Sequence, residues 1–257
     1  MNPKADPQGP AFFLALSPPL YLSRLYSTMT TQDPHQQLWT DVDDLLERTL
    51  HGHDDTMAQV LARCDAAGLP RIAVSPTQGK FLSLLTRIHA AKRVLEFGTL
   101  GGYSTIWFAR ALAPGGRVTT LEINPAFAKV AAHNFAAAGM SDRIDLHLGP
   151  ALQTLPTLAA TVTDTRAPYD LVFIDADKPN NAAYFDWALR LTRPGSIIII
   201  DNVVRAGGIL NPDSDPSARG SLDALTLLSQ STRVTATALQ TVGAKGHDGF
   251  AIALVNA

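Results

Sequence analysis

The stretch that decides the fold is FIDADK at residues 173–178, and a second stretch, IDN at residues 200–202, closes the next apolar run. The residues that lead into each stretch are uncharged and rich in β-branched side chains, which is typical of strands buried on both faces of a parallel sheet. In an open parallel sheet, the carboxyl ends of the strands form the ligand crevice. Asp175, Asp201 and Asn202 are therefore expected to lie close together. Their three side-chain oxygens suit a hard divalent cation.

Composition restricts the class of protein. A length of 257 residues suits one α/β domain, and 46% apolar with 17% charged residues is ordinary for a globular protein. A net charge of -2, without a basic stripe that interleaves with aromatic residues, disfavours a nucleic-acid partner. Cys64 is the only cysteine, which excludes an internal disulfide and a multi-thiolate metal site. A cytoplasmic location is expected.

The N-terminal residues contain two short apolar runs that Pro18 and Pro19 separate. Neither run reaches the ~20 residues that cross a membrane, so stable membrane insertion is not expected. Residues 1–37 are interpreted as a mobile extension, for which organelle targeting stays open. Residues 38–257 are interpreted as a single domain, with N-terminal helices over 38–92 and the core over 93–257.

Apolar periodicity alternates between strand-like and helix-like segments over most of the chain. It predicts a doubly wound, mainly parallel α/β sheet that N-terminal helices precede and an antiparallel C-terminal hairpin closes. Seven strands are predicted, over 93–97, 117–123, 144–148, 169–174, 196–200, 234–239 and 250–255. Helices are predicted over 38–50, 55–66, 78–91, 104–112, 125–138, 152–158, 182–191 and 221–229.

A glycine-rich turn, EFGTLGG at residues 96–102, lies where the first core strand leads into a helix. This is the position at which α/β proteins bind nucleotides. Glu96 breaks the G-x-G-x-x-G pattern, and its carboxylate would repel a pyrophosphate. A cationic, phosphate-free ligand such as S-adenosylmethionine fits better, with Glu96 beside its positive end and Ser104 beside its carboxylate. Glu122, roughly 20 residues beyond the turn, is predicted to hold ribose hydroxyls.

Other interpretations of these residues stay open. Dinucleotide-binding proteins share the spacing of Glu122, so an NAD-type oxidoreductase is one alternative. A catalytically silent cofactor-binding protein with the same fold is another. Lys178 could be a surface lysine that pairs with Asp177. HGHDD at residues 51–55 is interpreted as the polar start of a helix with Asp54 as its cap, and not as a metal site.

Four motifs together resemble the cation-dependent O-methyltransferases of the caffeoyl-CoA and catechol type. They are VLEFGTLGGYS at residues 94–104, LEIN at 121–124, FIDADK at 173–178 and the pair Asp201-Asn202. The resemblance runs from about Val74 to Ile209 and resumes at residues 246–250. It implies a Rossmann-like fold, S-adenosylmethionine as methyl donor, a divalent cation that is usually magnesium, a catechol-like or phenylpropanoid acceptor, and a homodimer.

The resemblance also implies a role for individual residues. Asp175, Asp201 and Asn202 would bind the divalent cation, and Lys178 would be the catalytic base. Apart from the resemblance, the glycines and prolines within residues 205–219 predict a loop, which starts beside Asp201 and Asn202 and is expected to close over the acceptor. The residues that would surround the methyl donor are Val74, Glu96, Gly98, Thr99, Ser104, Glu122, Ala151 and Asp177.

Overall fold

The computed structural model describes residues 34–52, 54–165 and 167–257, so most of the predicted N-terminal extension lies outside the described residues. Three helices precede the sheet: α1 (Gln36–Leu50), α2 (Asp55–Ala66) and α3 (Pro76–Ile88). The side chain of Asp54 accepts a hydrogen bond from the Met57 amide, which confirms its role as the cap of α2. Within the three described ranges, no helix combines the length and the apolar character that crossing a membrane requires.

Seven strands and five further helices follow. They are β1 (Arg93–Phe97), α4 (Tyr103–Ala111), β2 (Arg117–Glu122), α5 (Pro125–Ala137), β3 (Ile144–Leu148), α6 (Ala151–Thr165), β4 (Tyr169–Ile174), α7 (Asn181–Leu191), β5 (Thr192–Asp201), α8 (Pro216–Gln230), β6 (Val234–Gly243) and β7 (Gly246–Val255).

The seven strands form one sheet in the order β3-β2-β1-β4-β5-β7-β6. The pairs from β3 to β5 are parallel, whereas β7 is antiparallel to both β5 and β6, as the sequence predicts. The strand order reverses between β1 and β4, which creates the crevice where ligands bind in doubly wound sheets.

Alternate side chains of β1 enter two apolar layers, one on each face of the sheet. Leu95 and Phe97 belong to the layer under α6, α7 and α8, where the Phe97 ring lies 5.1 Å from that of Tyr184. Val94 belongs to the opposite layer, in which the Phe108 and Phe173 rings lie 5.6 Å apart. Because both faces are covered, the central strands need the continuous apolar runs seen in the sequence.

Helix α8 begins at Pro216 and not at residue 221, so the predicted 205–219 loop is shorter than expected. The Asp215 side chain caps this helix by accepting a hydrogen bond from the Ser217 amide. Two short 3-10 segments, Arg205–Leu210 and Pro212–Ser214, replace part of the loop, and the first is interrupted by non-helical backbone at Ala206 and Gly207. The stretch after β5 therefore combines a left-handed bend with short helical turns.

Asp170 lies near the start of β4, and its buried carboxylate links this strand to the starts of β1 and β5 at the amino end of the parallel strands. It accepts hydrogen bonds from the backbone amides of Lys92 (2.8 Å) and Arg93 (3.0 Å) and from the Arg193 guanidinium (2.6 Å). Asp170→Ala should lower the free energy of unfolding by about 2 to 4 kcal/mol, because it leaves two amides without their acceptor. Urea denaturation followed by circular dichroism measures this change.

The matched control is Asp145→Ala, because the Asp145 carboxylate also pairs with an arginine, Arg117, at 2.6 Å, but its side chain is 42% exposed. Exposed ion pairs contribute little, so the control should lose no more than about 1 kcal/mol. Equal losses in the two variants would contradict the role given to Asp170.

Candidate active site

The glycine turn after β1 and the end of β4 are in direct contact at the sheet's switch point. The Gly98 amide donates to Leu121 O at 3.0 Å, and the Asp175 amide donates to Phe97 O at 2.9 Å. Gly98 has a positive φ of 90°, and a side chain there would overlap the carbonyl of Asp175. The glycine thus allows the predicted donor turn and the predicted acid site to lie next to each other.

The Glu122 carboxylate, at the end of β2, holds the backbone of the glycine turn. Its Oε2 accepts hydrogen bonds from the amides of Thr99 (3.2 Å) and Leu100 (2.8 Å), and its Oε1 accepts one from Asn124 (2.8 Å). Leu100 has a left-handed backbone with φ of 50°, which costs energy outside glycine and needs such fixed contacts. Glu122 therefore shapes the turn, whatever ligand it also contacts.

Glu96 is 0% exposed, and its carboxylate lies beneath the turn. Three hydroxyl groups donate to it: Ser104 (2.6 Å) and Thr105 (2.5 Å) from α4, and Thr120 (2.7 Å) from β2. Burial raises the pKa of Glu96 to about 7, although the three hydroxyls oppose this shift. A ligand in the crevice would meet Glu96 through Ser104, which is half-buried.

A polar chain from α2 and α5 supports the outer half of the glycine turn. The Asn134 side chain donates to Gly101 O at 2.8 Å and accepts from Arg63 Nε at 2.6 Å. A side chain at Gly101 would overlap the Cys64 sulfur. The sequence did not predict this hydrogen-bond network, because its members are separated by 33 to 71 residues.

Two acids from neighbouring strand ends converge as the sequence predicts. Asp201, at the end of β5, is 4% exposed, and its burial together with the nearby charge of Asp175 raises its pKa. Lys178 Nζ lies 2.6 Å from Asp175 Oδ1 and is itself buried. The positive charge of Lys178 and a hydrogen bond from the Gln78 side chain oppose the rise in the pKa of Asp201. Asn202 follows directly, with a left-handed φ of 57°.

The donor set at this corner fits a divalent cation. The Asp175 carboxylate helps to raise the pKa of the buried Asp201 carboxyl group, so an added positive charge would stabilise the ionised form of Asp201. Within the described ranges, no group of three or more His, Cys, Asp and Glu side chains could hold a metal. The predicted set contains two acids and the amide of Asn202, which together would leave coordination positions for water or substrate.

Three further residues are predicted to surround the methyl donor, and they lie around the carboxyl ends of the parallel strands. Val74 is buried immediately before Ser75, which caps α3. Ala151 begins α6 just after Gly149, whose amide donates to Glu122 O at 2.8 Å. Asp177 is exposed, and the described hydrogen bonds to its carboxylate come from Asn180 and Tyr184, both at 2.5 Å.

Lys245 is a further residue at this edge, and sequence reasoning did not single it out. It lies in the two-residue turn between β6 and β7, and its ammonium donates to Arg71 O (3.0 Å) and Ala73 O (2.8 Å). Desolvation of the ammonium lowers its pKa, while the charges of Asp175 and Asp201 oppose that shift. The C-terminal hairpin therefore reaches the segment that carries Val74.

A family model described as O-methyltransferase matches residues 49–251, which extend from the end of α1 into β7. The chain belongs to the O-methyltransferase family. This result confirms the resemblance that the four motifs indicate, and the NAD-type alternative is not favoured.

Named relatives of this O-methyltransferase agree with the family match. The catechol O-methyltransferase of Mycobacterium tuberculosis is 55% identical over 84% of this chain and 95% of its own length. That of Niastella koreensis is 45% identical over 86% of this chain and 99% of its own. The crystal structure of a Bacillus cereus O-methyltransferase in complex with SAH superposes on this chain with a TM-score of 0.82 and 48% sequence identity. The matched region covers 86% of this chain and 100% of the Bacillus cereus chain.

Glu96 gives this O-methyltransferase a specific dependence of stability on pH. Its pKa is about 7 when folded, against an ordinary value of 4.5, so the unfolded chain loses this proton first as pH rises. The contribution of Glu96 to the free energy of unfolding therefore falls by roughly 3 kcal/mol between about pH 4.5 and pH 7. Above about pH 7 this contribution no longer changes with pH. Glu96→Gln should remove this part of the dependence.

The measurement is urea denaturation of ligand-free protein at pH 5 and pH 8. The variant should lose less stability than the wild type over that interval, because glutamine does not titrate. An identical loss in the two proteins would mean that Glu96 has an ordinary pKa.

Proposed function

We propose that this O-methyltransferase transfers a methyl group from S-adenosylmethionine to one hydroxyl of a catechol-like small molecule, with a divalent cation, expected to be magnesium, at Asp175, Asp201 and Asn202. The observation that carries the proposal is the pair of acids beside the glycine turn, Asp175 and the buried Asp201. A donor site and a cation site in contact are what methylation of a coordinated diol requires.

The choice of donor rests on charge and on a solved relative. Acidic side chains flank the turn, and no arginine or lysine lies in the turn at residues 96–102 to pair with a pyrophosphate, so a cationic ligand suits it better. The Bacillus cereus relative was solved with SAH, the product that remains when S-adenosylmethionine has lost its methyl group. Glu122 would hold the ribose with the acceptor capacity that its three amide contacts leave.

The cation would supply Lewis-acid activation and orientation of the acceptor, since a phenol with a pKa near 10 is a poor nucleophile at neutral pH. Asp175 and Asp201 would contribute charge, and Asn202 a neutral oxygen. The chain itself would hold these oxygens close together at the carboxyl end of the parallel strands, with Asp201 buried and with Asp175 and Asn202 partly exposed.

Lys178 would move the acceptor's proton. Its Nζ is buried and paired with Asp175, and an ammonium has three protons and no lone pair. It must therefore release a proton and turn from Asp175 before it can act as a base towards the acceptor hydroxyl. Asp175 would then hold Lys178 in place between turnovers.

The acceptor class is proposed from the relatives, two of which are named catechol O-methyltransferases. The segment that follows Asn202 carries Ala206, which offers no polar side chain to a substrate. Arg205 lies 3.9 Å from Asp248, so its charge is partly compensated. Small diols without a strict requirement for an acidic group fit this rim best.

A homodimer is proposed from one exposed apolar surface, formed by α1 and the edge strand β6. Gln36 and Asp43 of α1 hydrogen-bond the end of the β6–β7 hairpin, so the two elements adjoin. Strand β6 is uncharged and unpaired along its outer edge, a combination that favours association with a second copy. The exposed apolar side chains are Leu38, Val42, Leu45, Leu46, Leu50, Leu239 and Val242.

Val42→Asp should convert the dimer to a monomer, because it places a charge in the proposed apolar interface. Light scattering after size-exclusion chromatography measures the mass. Leu148→Asp, on β3 at the opposite edge of the sheet, is the matched control and should keep the dimer. A wild-type monomer, or a dimer in both variants, would contradict the proposed surface.

The central test is methylation of catechol by the wild type and by Asp201→Asn, followed by mass spectrometry with and without chelator. The substitution removes one of two negative charges that face the cation, so kcat/KM should fall by roughly 100-fold or more, equivalent to about 3 kcal/mol. Chelation of the wild type should have the same effect, and added Mg²⁺ should reverse it.

Asp186→Asn, on the exposed face of α7, changes the same charge away from the site and should keep wild-type activity. Full activity after thorough chelation would exclude the cation role. The absence of a methylated product from a panel of catechols would instead show that the acceptor class is wrong.

A further inference from the structure

The backbone that follows Asp201 is strained. Asn202, Arg205 and Ala206 have φ values of 57°, 57° and 52°, and Gly207 has φ of 83°. Left-handed backbone costs roughly 1 to 2 kcal/mol for a non-glycine residue other than Asn or Asp. Arg205 and Ala206 are consecutive, and both have this unfavourable backbone near the proposed cation site. Other contacts must therefore hold the segment 202–207 in place.

One carboxylate oxygen supplies much of that restraint. Asp248 Oδ1 accepts hydrogen bonds from three backbone amides: Val204 (3.1 Å), Arg205 (2.9 Å) and its own neighbour Gly249 (2.9 Å). The Val203 amide also donates to Gly249 O at 2.9 Å. The start of β7 and the segment after β5 are therefore joined across 44 positions of sequence at a single side chain.

The contact between the start of β7 and the segment 202–207 is tightly packed. A side chain at Gly249 would overlap Leu239 O on β6 and would also press on the Val204 side chain. Next along β7, Phe250 pairs with Asp201 in the antiparallel register. Asp248 is thus fixed by the sheet itself, while the segment that it holds lies outside the sheet.

We propose that Asp248 is a positioning residue for the cation and acceptor side of the active site. It fixes the strained segment 202–207, so that Asn202 keeps its place beside Asp201 and the rim beyond it keeps its shape. The inference rests on the proposed cation role of Asn202. It does not extend to the donor side, where Glu122 and the Arg63–Asn134 chain hold the glycine turn independently.

This separation distinguishes positioning from general structural support. Loss of Asp248 should weaken cation binding and leave donor-side binding intact, whereas a loss of overall stability would weaken both. Asp248→Ala removes the acceptor, and Asp248→Asn keeps a neutral one, so the effect of the asparagine variant should be smaller. His247→Ala is the matched control, because the described hydrogen bond of His247 is to the Gln240 side chain within the hairpin.

Three quantities are measured on the full chain: hydrogen exchange of the amides in 202–207 without ligands, Mn²⁺ affinity by calorimetry, and S-adenosylhomocysteine affinity by calorimetry. In Asp248→Ala, exchange should be ~10-fold faster or more, and Mn²⁺ affinity should fall by ~5-fold or more. Its S-adenosylhomocysteine affinity should stay within about twofold of the wild type. The control should match the wild type throughout.

Unchanged exchange in both Asp248 variants would overturn the proposal. A parallel loss of Mn²⁺ and S-adenosylhomocysteine affinity in both would also overturn it, since that pattern indicates a general structural role. A wild type that binds no Mn²⁺ refutes the cation part of the proposed function and, with it, the claim that Asp248 positions a cation ligand. Faster exchange would then still show that Asp248 restrains the rim of the acceptor site.

Discussion

The repulsion between the carboxylate of Asp175 and the buried carboxyl group of Asp201 is the constraint on which this candidate active site depends. Asp175 directly follows β4 and Asp201 is the last residue of β5, so two paired parallel strands hold the backbones of these residues next to each other. Burial and mutual repulsion both favour protonation of Asp201, and the paired Lys178 compensates only part of the charge. Such a corner is costly for folding alone. The proposed cation would offset this cost by neutralising the two acids.

The donor side uses acidic groups differently. Glu96 and Glu122 direct their oxygens to hydroxyls and backbone amides of the protein, and through them the two strand ends shape the glycine turn. Any negative charge on these carboxyl groups would favour a cationic ligand in the crevice. The same side chains therefore build the turn and would also act on the ligand through their charge.

The sequence predicts the sheet and the convergence of the acids well, because both follow from local rules. Apolar runs give the strands, and the rule that parallel strands end at one edge brings Asp175 and Asp201 together. The start of α8 was missed, since it depends on the single cap Asp215. Lys245 and Asp248 were not assigned roles either, because their partners lie more than 40 positions away and leave no periodic signal.

The most direct measurement is the anomalous difference density of crystals grown with Mn²⁺ and S-adenosylhomocysteine. We expect one strong peak within coordination distance of the side-chain oxygens of Asp175, Asp201 and Asn202, next to the bound nucleoside. Density for the nucleoside together with no peak at these three side chains, in an enzyme that methylates catechol, would contradict the proposed cation site.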